Sequence, residues 1–169
     1  EDAEYLRPGD NRLMARLYLP EGAGPFPAVI NLHGGAWNTG DLTDGVARAD
    51  YLARAGIAVA DINFRHGGDA YPSSLADINY AIRWLKSQAG RLRIDPQRVG
   101  IGGQSSGGHL AMLAAMRPSD SRYTAIPLAG DASVRCVAMM WPVINPLSRY
   151  RHAIRAEGPG SWSTGMRQK

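Results

Sequence analysis

The sequence predicts one α/β domain built on a mainly parallel β-sheet. At 169 residues the chain is long enough for one domain with its own hydrophobic core. Short β-branched runs alternate along the chain with segments of helical periodicity, which is typical of βαβ units. No internal repeat or linker divides this pattern. We therefore predict a single domain over residues 1–169, with a flexible tail at 156–169 where glycine and serine are frequent.

Five segments are predicted to form strands of this sheet. Each is rich in apolar or β-branched residues and ends at a proline, a glycine or a polar loop. The segments are 12–20, 27–35, 57–65, 98–103 and 134–142.

Helices are predicted between these strands. Residues 43–56 are expected to form a helix with Thr43 as its N-cap and Gly56 as its stop. A further helix is expected to run from Ser106 to about Met116.

The segment 74–88 gives the clearest helical pattern in the chain. Ser74 followed by Asp77 resembles a capping box at its start. The apolar residues that share one helical face are Leu75, Ile78, Ile82 and Leu85.

The composition argues against several classes of protein. The net charge is +4, and the arginines are scattered apart from Arg149, Arg151 and Arg155, so no dense basic stripe predicts nucleic-acid binding. These three arginines predict a solvated helix face or a contact with a lid over a ligand. No apolar run approaches the ~20 residues of a membrane span.

The single cysteine, Cys136, excludes an intrachain disulfide and a site with several cysteine ligands. It lies in an apolar run, so we predict a buried, structural side chain. No pair of acids or histidines has the spacing of metal ligands, and we predict neither a metal nor a cofactor.

A short glycine-rich stretch carries the first sign of chemistry. Residues 103–107 read Gly-Gln-Ser-Ser-Gly and lie between a predicted strand and a predicted helix, which is the setting of a nucleophile elbow. Such a turn crowds the backbone at both glycines and holds the central serine with its hydroxyl outward. The sequence therefore predicts Ser105 as a nucleophile.

A phosphate-binding loop is the alternative interpretation of this stretch. The residues 100–105 lack the final glycine of the dinucleotide pattern, and no Gly-Lys-Ser/Thr ending follows them. The second feature excludes a P-loop.

The predicted strand segment 27–35 breaks into a second glycine loop, 33–37, which reads His-Gly-Gly-Ala-Trp. Glycines let such a loop approach a substrate closely, and its amides can stabilise an oxyanion. The nucleophile-elbow pattern takes one donor from this loop and one from the residue after the nucleophile. We predict Gly35, Ala36 and Ser106 as donors.

These two motifs, in this order, resemble the N-terminal part of an α/β-hydrolase of the hormone-sensitive-lipase-like carboxylesterase branch. The resemblance covers roughly residues 15–145. It implies a three-layer α/β-hydrolase fold and a serine hydrolase that cleaves small acyl esters through an acyl-enzyme on Ser105. His33 and Gly34 are then expected to support the oxyanion loop.

The remaining histidines do not suit the role of general base. His109 lies one helical turn after Ser105, which points it away from the hydroxyl, so we expect a packing role. His66 lies in a loop that either lines the pocket or is exposed. His152 lies among arginines. Asp61 and Asp77 are explained by structural roles at the ends of a strand and a helix.

The triad acid and histidine of this fold follow the serine in sequence, at the ends of later strands. Only 28 residues follow Trp141 (169 − 141), too few for the expected strands. We therefore expect a missing C-terminal segment to supply both residues, and a second chain is the alternative source. A truncated relative without normal catalysis is a third explanation.

Two further functions stay open at this point. A formamidase or amidase would use the same acyl-enzyme chemistry on another bond. A ligand-binding receptor on the same scaffold would bind without turnover.

Overall fold

The computed structural model describes residues 1–157, and its sheet has six strands in the order β1-β2-β4-β3-β5-β6. β2 pairs antiparallel with β1 and β4, whereas β4, β3, β5 and β6 run parallel. The predicted mainly parallel sheet is confirmed. The strands are β1 (Asp2–Leu6), β2 (Leu13–Tyr18), β3 (Phe26–Leu32), β4 (Ala58–Ile62), β5 (Ile94–Gln104) and β6 (Val137–Met140).

Helices cover both faces of the sheet and make a three-layer arrangement. α1 packs against β2 and β4, while α2 and α4 pack against each other and against the remaining strands. The helices are α1 (Val46–Arg54), α2 (Ser73–Ser87), α3 (Ala89–Leu92), α4 (Ser106–Met116) and α5 (Pro146–Glu157), and a 3-10 turn covers Gly67–Asp69. Within residues 1–157 no helix has the length and apolarity needed to cross a bilayer.

The main hydrophobic core lies between the sheet and the α2–α4 layer. Ile30 and Ile101 from neighbouring strands are fully buried there, together with Ile78 and Ile82 of α2. Side chains alternate along a strand, so the intervening residues of β3 and β4 face α1 instead. The helical face predicted for 74–88 is therefore the face that packs on the sheet.

Parallel pairing brings three strand ends to one edge of the sheet. Leu32 of β3 is level with Ile62 of β4 and with Gly103 of β5. The loops that follow these strands therefore start side by side. The predicted glycine loop and the predicted nucleophile turn are thus neighbours.

The first helix begins later than the sequence suggested. Thr43 is not its N-cap, because the Thr43 amide and hydroxyl both donate to the Asp41 carboxylate in a turn. The helix starts at Val46, after Gly45. Gly56 does follow the helix with a left-handed φ of 85°, as expected for a stop.

The capping box predicted for the second helix is absent. The Ser74 hydroxyl donates to the carbonyls of Arg65 and Ala70. Asp77, fully buried, accepts hydrogen bonds from the backbone and side chain of Arg65. Both residues therefore fasten α2 to the end of β4 rather than capping the helix.

The prediction that Cys136 is buried was wrong: its side chain is exposed. The side chains of β6 itself are mostly exposed, since β6 is the last strand of the described sheet and pairs only with β5. The predicted flexible tail, 156–169, overlaps the end of α5 and otherwise lies outside the described residues.

Candidate active site

Ser105 lies between the end of β5 and the start of α4, in a backbone conformation that L-residues rarely adopt. Its φ is 52° and its ψ is −119°. The Ser105 amide donates to the Met140 carbonyl at 3.0 Å, and the Ser105 carbonyl accepts from the Val143 amide at 3.2 Å. Strain of this kind costs about 1–3 kcal/mol and persists only where the surroundings enforce it.

The flanking glycines are required by close backbone contacts. A Cβ on Gly103 would lie 2.5 Å from the Gly107 carbonyl carbon. A Cβ on Gly107 would collide with the carbonyl oxygens of Leu32 and His33. α4 therefore starts directly against the end of β3, which is the crowding that the sequence predicted.

The loop after β3 packs against Ser105. A Cβ on Gly34 would lie 3.5 Å from the Ser105 Cβ. Gly35, Ala36 and Trp37 follow with left-handed φ values of 105°, 53° and 62°. The Gly35 carbonyl accepts the amides of residues 38 and 39, so it is turned into the loop.

The amides of the three predicted donors are free of other bonds. Within residues 1–157, the N–H groups of Gly35, Ala36 and Ser106 donate no hydrogen bond. Ser106 is the first residue of α4, where the helix dipole is positive. The structure thus brings the two predicted donor segments to Ser105.

His33 is buried beneath this loop. Its Nδ1 donates to the Gly34 carbonyl at 2.8 Å, and its ring stacks on Phe64 with centroids 4.2 Å apart. Burial lowers the pKa of His33, which disfavours the charged ring. A Cβ on Gly40 would lie 2.5 Å from this Nδ1. The ring is therefore enclosed by the loop that it was predicted to support.

The side chain of His109 contacts the glycine loop instead of the Ser105 hydroxyl. Its Nδ1 accepts a hydrogen bond of 3.2 Å from the Trp37 indole. Burial lowers the pKa of His109. No described residue is hydrogen bonded to the Ser105 hydroxyl.

The other candidates lie away from the serine. His66 is exposed, and its ring lies edge to face with the His33 ring, with the two ring centroids 5.9 Å apart. His152 is exposed on α5. Asp61 is buried, accepts from Asn31 at 2.6 Å, and has a pKa raised by burial. Together with the Asp77 pair described above, these positions agree with structural roles for both acids.

Ser105 opens onto a cavity of about 1150 Å³. The glycine loop forms one wall and α4 another, through His109, Leu110 and Leu113. Tyr71 also lines the cavity and belongs to the His66 loop, for which the sequence left lining and exposure open. The sequence did not predict the lining by Arg149 and Tyr150 of α5. Their participation depends on tertiary packing, although the arginine cluster had suggested a contact with a ligand lid.

The described residues contain no group of three or more His, Cys, Asp or Glu side chains arranged to hold a metal ion.

Comparison with known proteins assigns this arrangement to a family. Residues 16–147, more than half of the chain, match the BD-FAE family. The chain is 33% identical over 153 residues to an ethyl acetate hydrolase from Pseudomonas putida, covering 88% of this chain and 46% of that enzyme. It is 34% identical over 98 residues to the carboxylesterase NlhH from Mycobacterium tuberculosis, covering 56% of this chain and 30% of that enzyme.

Solved structures show the same fold. An esterase from Thermogutta terrifontis, Est2, superposes with a TM-score of 0.75 at 26% identity, covering 85% of this chain and 53% of that chain. The chain thus spans less than half the length of the two curated enzymes and about half of this esterase. The chain belongs to the BD-FAE family and has the fold of the α/β-hydrolase esterases.

Proposed function

We propose that the protein is a serine hydrolase that cleaves carboxylic esters of small molecules, with Ser105 as the nucleophile. One observation carries the proposal: Ser105 is held at φ 52° between β5 and α4, against the Gly34–Gly35 loop, at a cavity of about 1150 Å³. A strained serine at a strand–helix turn is the nucleophile elbow of this fold.

In the proposed reaction the Ser105 Oγ attacks the ester carbonyl carbon and loses its proton to a general base. The carbonyl electron pair moves to oxygen, and the amides of Gly35, Ala36 and Ser106 stabilise the resulting oxyanion. One such donor typically contributes about 3 kcal/mol to the transition state. The C–O bond to the alcohol then breaks and the alcohol leaves with a proton. Water releases the acid from the acyl-enzyme.

The general base and its acid are proposed to come from residues outside 1–157. His33 is buried, and its Nδ1 is hydrogen bonded to the Gly34 carbonyl of its own loop. His109 accepts a hydrogen bond from the Trp37 indole. Neither is hydrogen bonded to the Ser105 hydroxyl in the described part of the chain. In serine hydrolases the loss of such partners lowers the rate by several orders of magnitude. A protein restricted to these residues is therefore expected to be nearly inactive.

The comparisons support ester substrates. The similar enzymes are called an ethyl acetate hydrolase and a carboxylesterase. One structure of Thermogutta esterase 2, 25% identical to this chain, has the enzyme phosphorylated by paraoxon. That enzyme, which has the same fold, therefore carries a group that reacts with an organophosphate.

Labelling with paraoxon tests the proposal. The protein is incubated with paraoxon and digested, and the modified peptide is located by tandem mass spectrometry. We expect phosphorylation of Ser105, none in Ser105→Ala, and unchanged labelling in Ser121→Ala, which alters an exposed serine. Labelling at another residue, or equal labelling of Ser105→Ala, would contradict the proposal.

Parallel assays with matched esters, amides and formamides separate the alternatives. An amidase or formamidase would prefer the nitrogen-linked substrates. A receptor would bind such compounds tightly without turning them over.

A further inference from the structure

The part of the cavity wall that α5 contributes carries a cationic side chain. Arg149 of α5 lines the cavity that contains Ser105. Among the side chains that the structure describes around this cavity, Arg149 is the only lysine or arginine, and none of them is an aspartate or glutamate. Arg149 therefore contributes a positive charge to this part of the cavity wall.

The guanidinium of Arg149 is not engaged elsewhere. Within residues 1–157 it makes no ion pair and no side-chain hydrogen bond. Other arginines of the chain are bonded to carboxylates, for example Arg16 to Asp2 and Arg122 to Asp120. Arg149 thus keeps its fork of N–H donors for a ligand, and that fork matches the two oxygens of a carboxylate.

The start of α5 adds to the positive potential on this wall. Pro146, the first residue of the helix, also lines the cavity, and the first turn contains no acidic residue. Helix N-termini carry a partial positive charge that favours anions. Asn145 caps this end by accepting the Ser148 amide at 2.9 Å.

The cavity that Arg149 and Ser105 both line has the volume for an extended ligand. A sphere of about 1150 Å³ is about 13 Å across, which is large enough to hold a drug-sized ligand. Aromatic side chains, among them Trp37 and Tyr71, also line the cavity. An ester with a flexible apolar chain and a terminal anion fits this distribution of groups.

We propose that the cavity takes esters carrying an anionic group, such as a carboxylate, remote from the scissile bond, and that Arg149 binds that group. This rests on the proposed function, since it assumes that Ser105 attacks the same ligand. Arg149 is then a specificity-determining residue: it contributes to the choice of substrate and takes no part in bond cleavage.

A matched pair of substrates tests the assignment. p-Nitrophenyl hydrogen adipate carries a terminal carboxylate, and the corresponding terminal amide has the same length without the charge. The ratio of kcat/KM for the anionic ester to that for the amide is measured in the full-length wild-type protein, because the general base is proposed to lie outside residues 1–157. We expect Arg149→Ala to lower this ratio about fivefold, the upper end of what an exposed ion pair contributes.

Arg151→Ala is the matched control. Arg151 is two residues away on the same helix and lines a separate surface with Leu147 and Arg155. The ratio should stay unchanged in this variant although the net charge falls equally. High salt should lower the wild-type ratio, because a partly exposed ion pair is screened. Equal ratios in wild type and Arg149→Ala would overturn the proposal, as would an equal loss in Arg151→Ala.

Calorimetry separates failure of this inference from failure of the proposed function. Adipamate, the half-amide of adipic acid, and neutral adipamide are titrated into the wild type and both variants. If neither ester is hydrolysed, the proposed function fails, yet tighter binding of adipamate that is lost only in Arg149→Ala still supports the cation site. Equal affinities for the two compounds in the wild type would contradict it.

Discussion

The Trp37 indole donates a hydrogen bond of 3.2 Å to Nδ1 of His109, and the two rings meet edge to face at 5.5 Å. This contact joins the glycine loop after β3 to the helix that follows Ser105. His109 lies one turn beyond Ser105 and is the histidine nearest to it in sequence. Its acceptor nitrogen is used to brace the loop of proposed oxyanion donors, which leaves it unsuited to act as a base.

Trp37→Phe should loosen this brace while keeping an aromatic ring in place. Losing one side-chain hydrogen bond costs about 1 kcal/mol, and the loop should then hold its amides less firmly. We expect a slower rate of paraoxon labelling at Ser105. Trp141→Phe is the control, because Trp141 is 73% exposed and lies outside the cavity lining. Equal labelling rates in the two variants would contradict a role of the Trp37–His109 hydrogen bond in holding the loop.

Gly107→Ala should destabilise the fold. The added Cβ meets two backbone carbonyl oxygens that cannot move without shifting the end of β3. Overpacking of this kind costs about 1–3 kcal/mol, and the labelling rate should fall as well. Gly90→Ala, in α3, has nothing within 4 Å of the new Cβ and serves as the control. Urea unfolding curves compare the two, and similar midpoints would contradict the account of the turn.

Stability should fall as the pH drops below about 6.5. Burial lowers the pKa values of His33 and His109 from 6.5 in the folded chain, so the unfolded chain binds more protons below that pH. The free energy of unfolding therefore rises with pH through this window. His109→Gln should flatten the dependence, whereas His152→Gln, which replaces an exposed histidine on α5, should not. Urea unfolding at several pH values between 5 and 8, the range in which histidines usually titrate, measures how steeply the free energy of unfolding changes with pH in each variant.

Asp77→Ala should be strongly destabilising. The side chain of Asp77 is fully buried and accepts from Arg65 at 2.6 Å, so its removal leaves a partly buried guanidinium without this partner. Breaking such a pair costs about 3 kcal/mol or more. Asp50→Ala, which breaks an exposed pair with Arg54, should change the free energy of unfolding far less. Thermal or urea unfolding of both variants checks the difference, and equal losses would argue against a special role for the buried pair.

The sequence predicted the turn at Ser105 because its determinants are local. A β-branched strand, a glycine on each side of the serine motif and a helical segment follow one another within residues 98–116. The close contacts of Gly103 and Gly107 show why substitution there is costly. The second motif was equally local, and parallel pairing alone was needed to bring both together.

Other elements depend on contacts that a linear pattern does not contain. Thr43 has the chemistry of an N-cap, but it is hydrogen bonded to the Asp41 carboxylate in a turn, and the helix starts at Val46. Ser74 and Asp77 have the spacing of a capping box, yet each makes stronger contacts with the end of β4. In these cases the local sequence predicted correctly that the side chains form hydrogen bonds, but the folded chain offers them partners other than the helix N-terminus.

The cavity wall contributed by α5 was beyond prediction for a similar reason. Arg149 lies far along the chain from the glycine loop, and only packing places both around one cavity. The strand β1 was also missed, because its short segment Asp2–Leu6 mixes polar and apolar residues. It is defined by antiparallel pairing with β2.

Transfer of an acyl group to Ser105 tests the central claim most directly. The protein is mixed with p-nitrophenyl butyrate, quenched in acid, digested and analysed by tandem mass spectrometry. We predict a butyryl group on the peptide that contains Ser105, and none at that peptide in Ser105→Ala. A butyryl group found reproducibly on a different residue, or the same level of acylation in Ser105→Ala, would contradict the account.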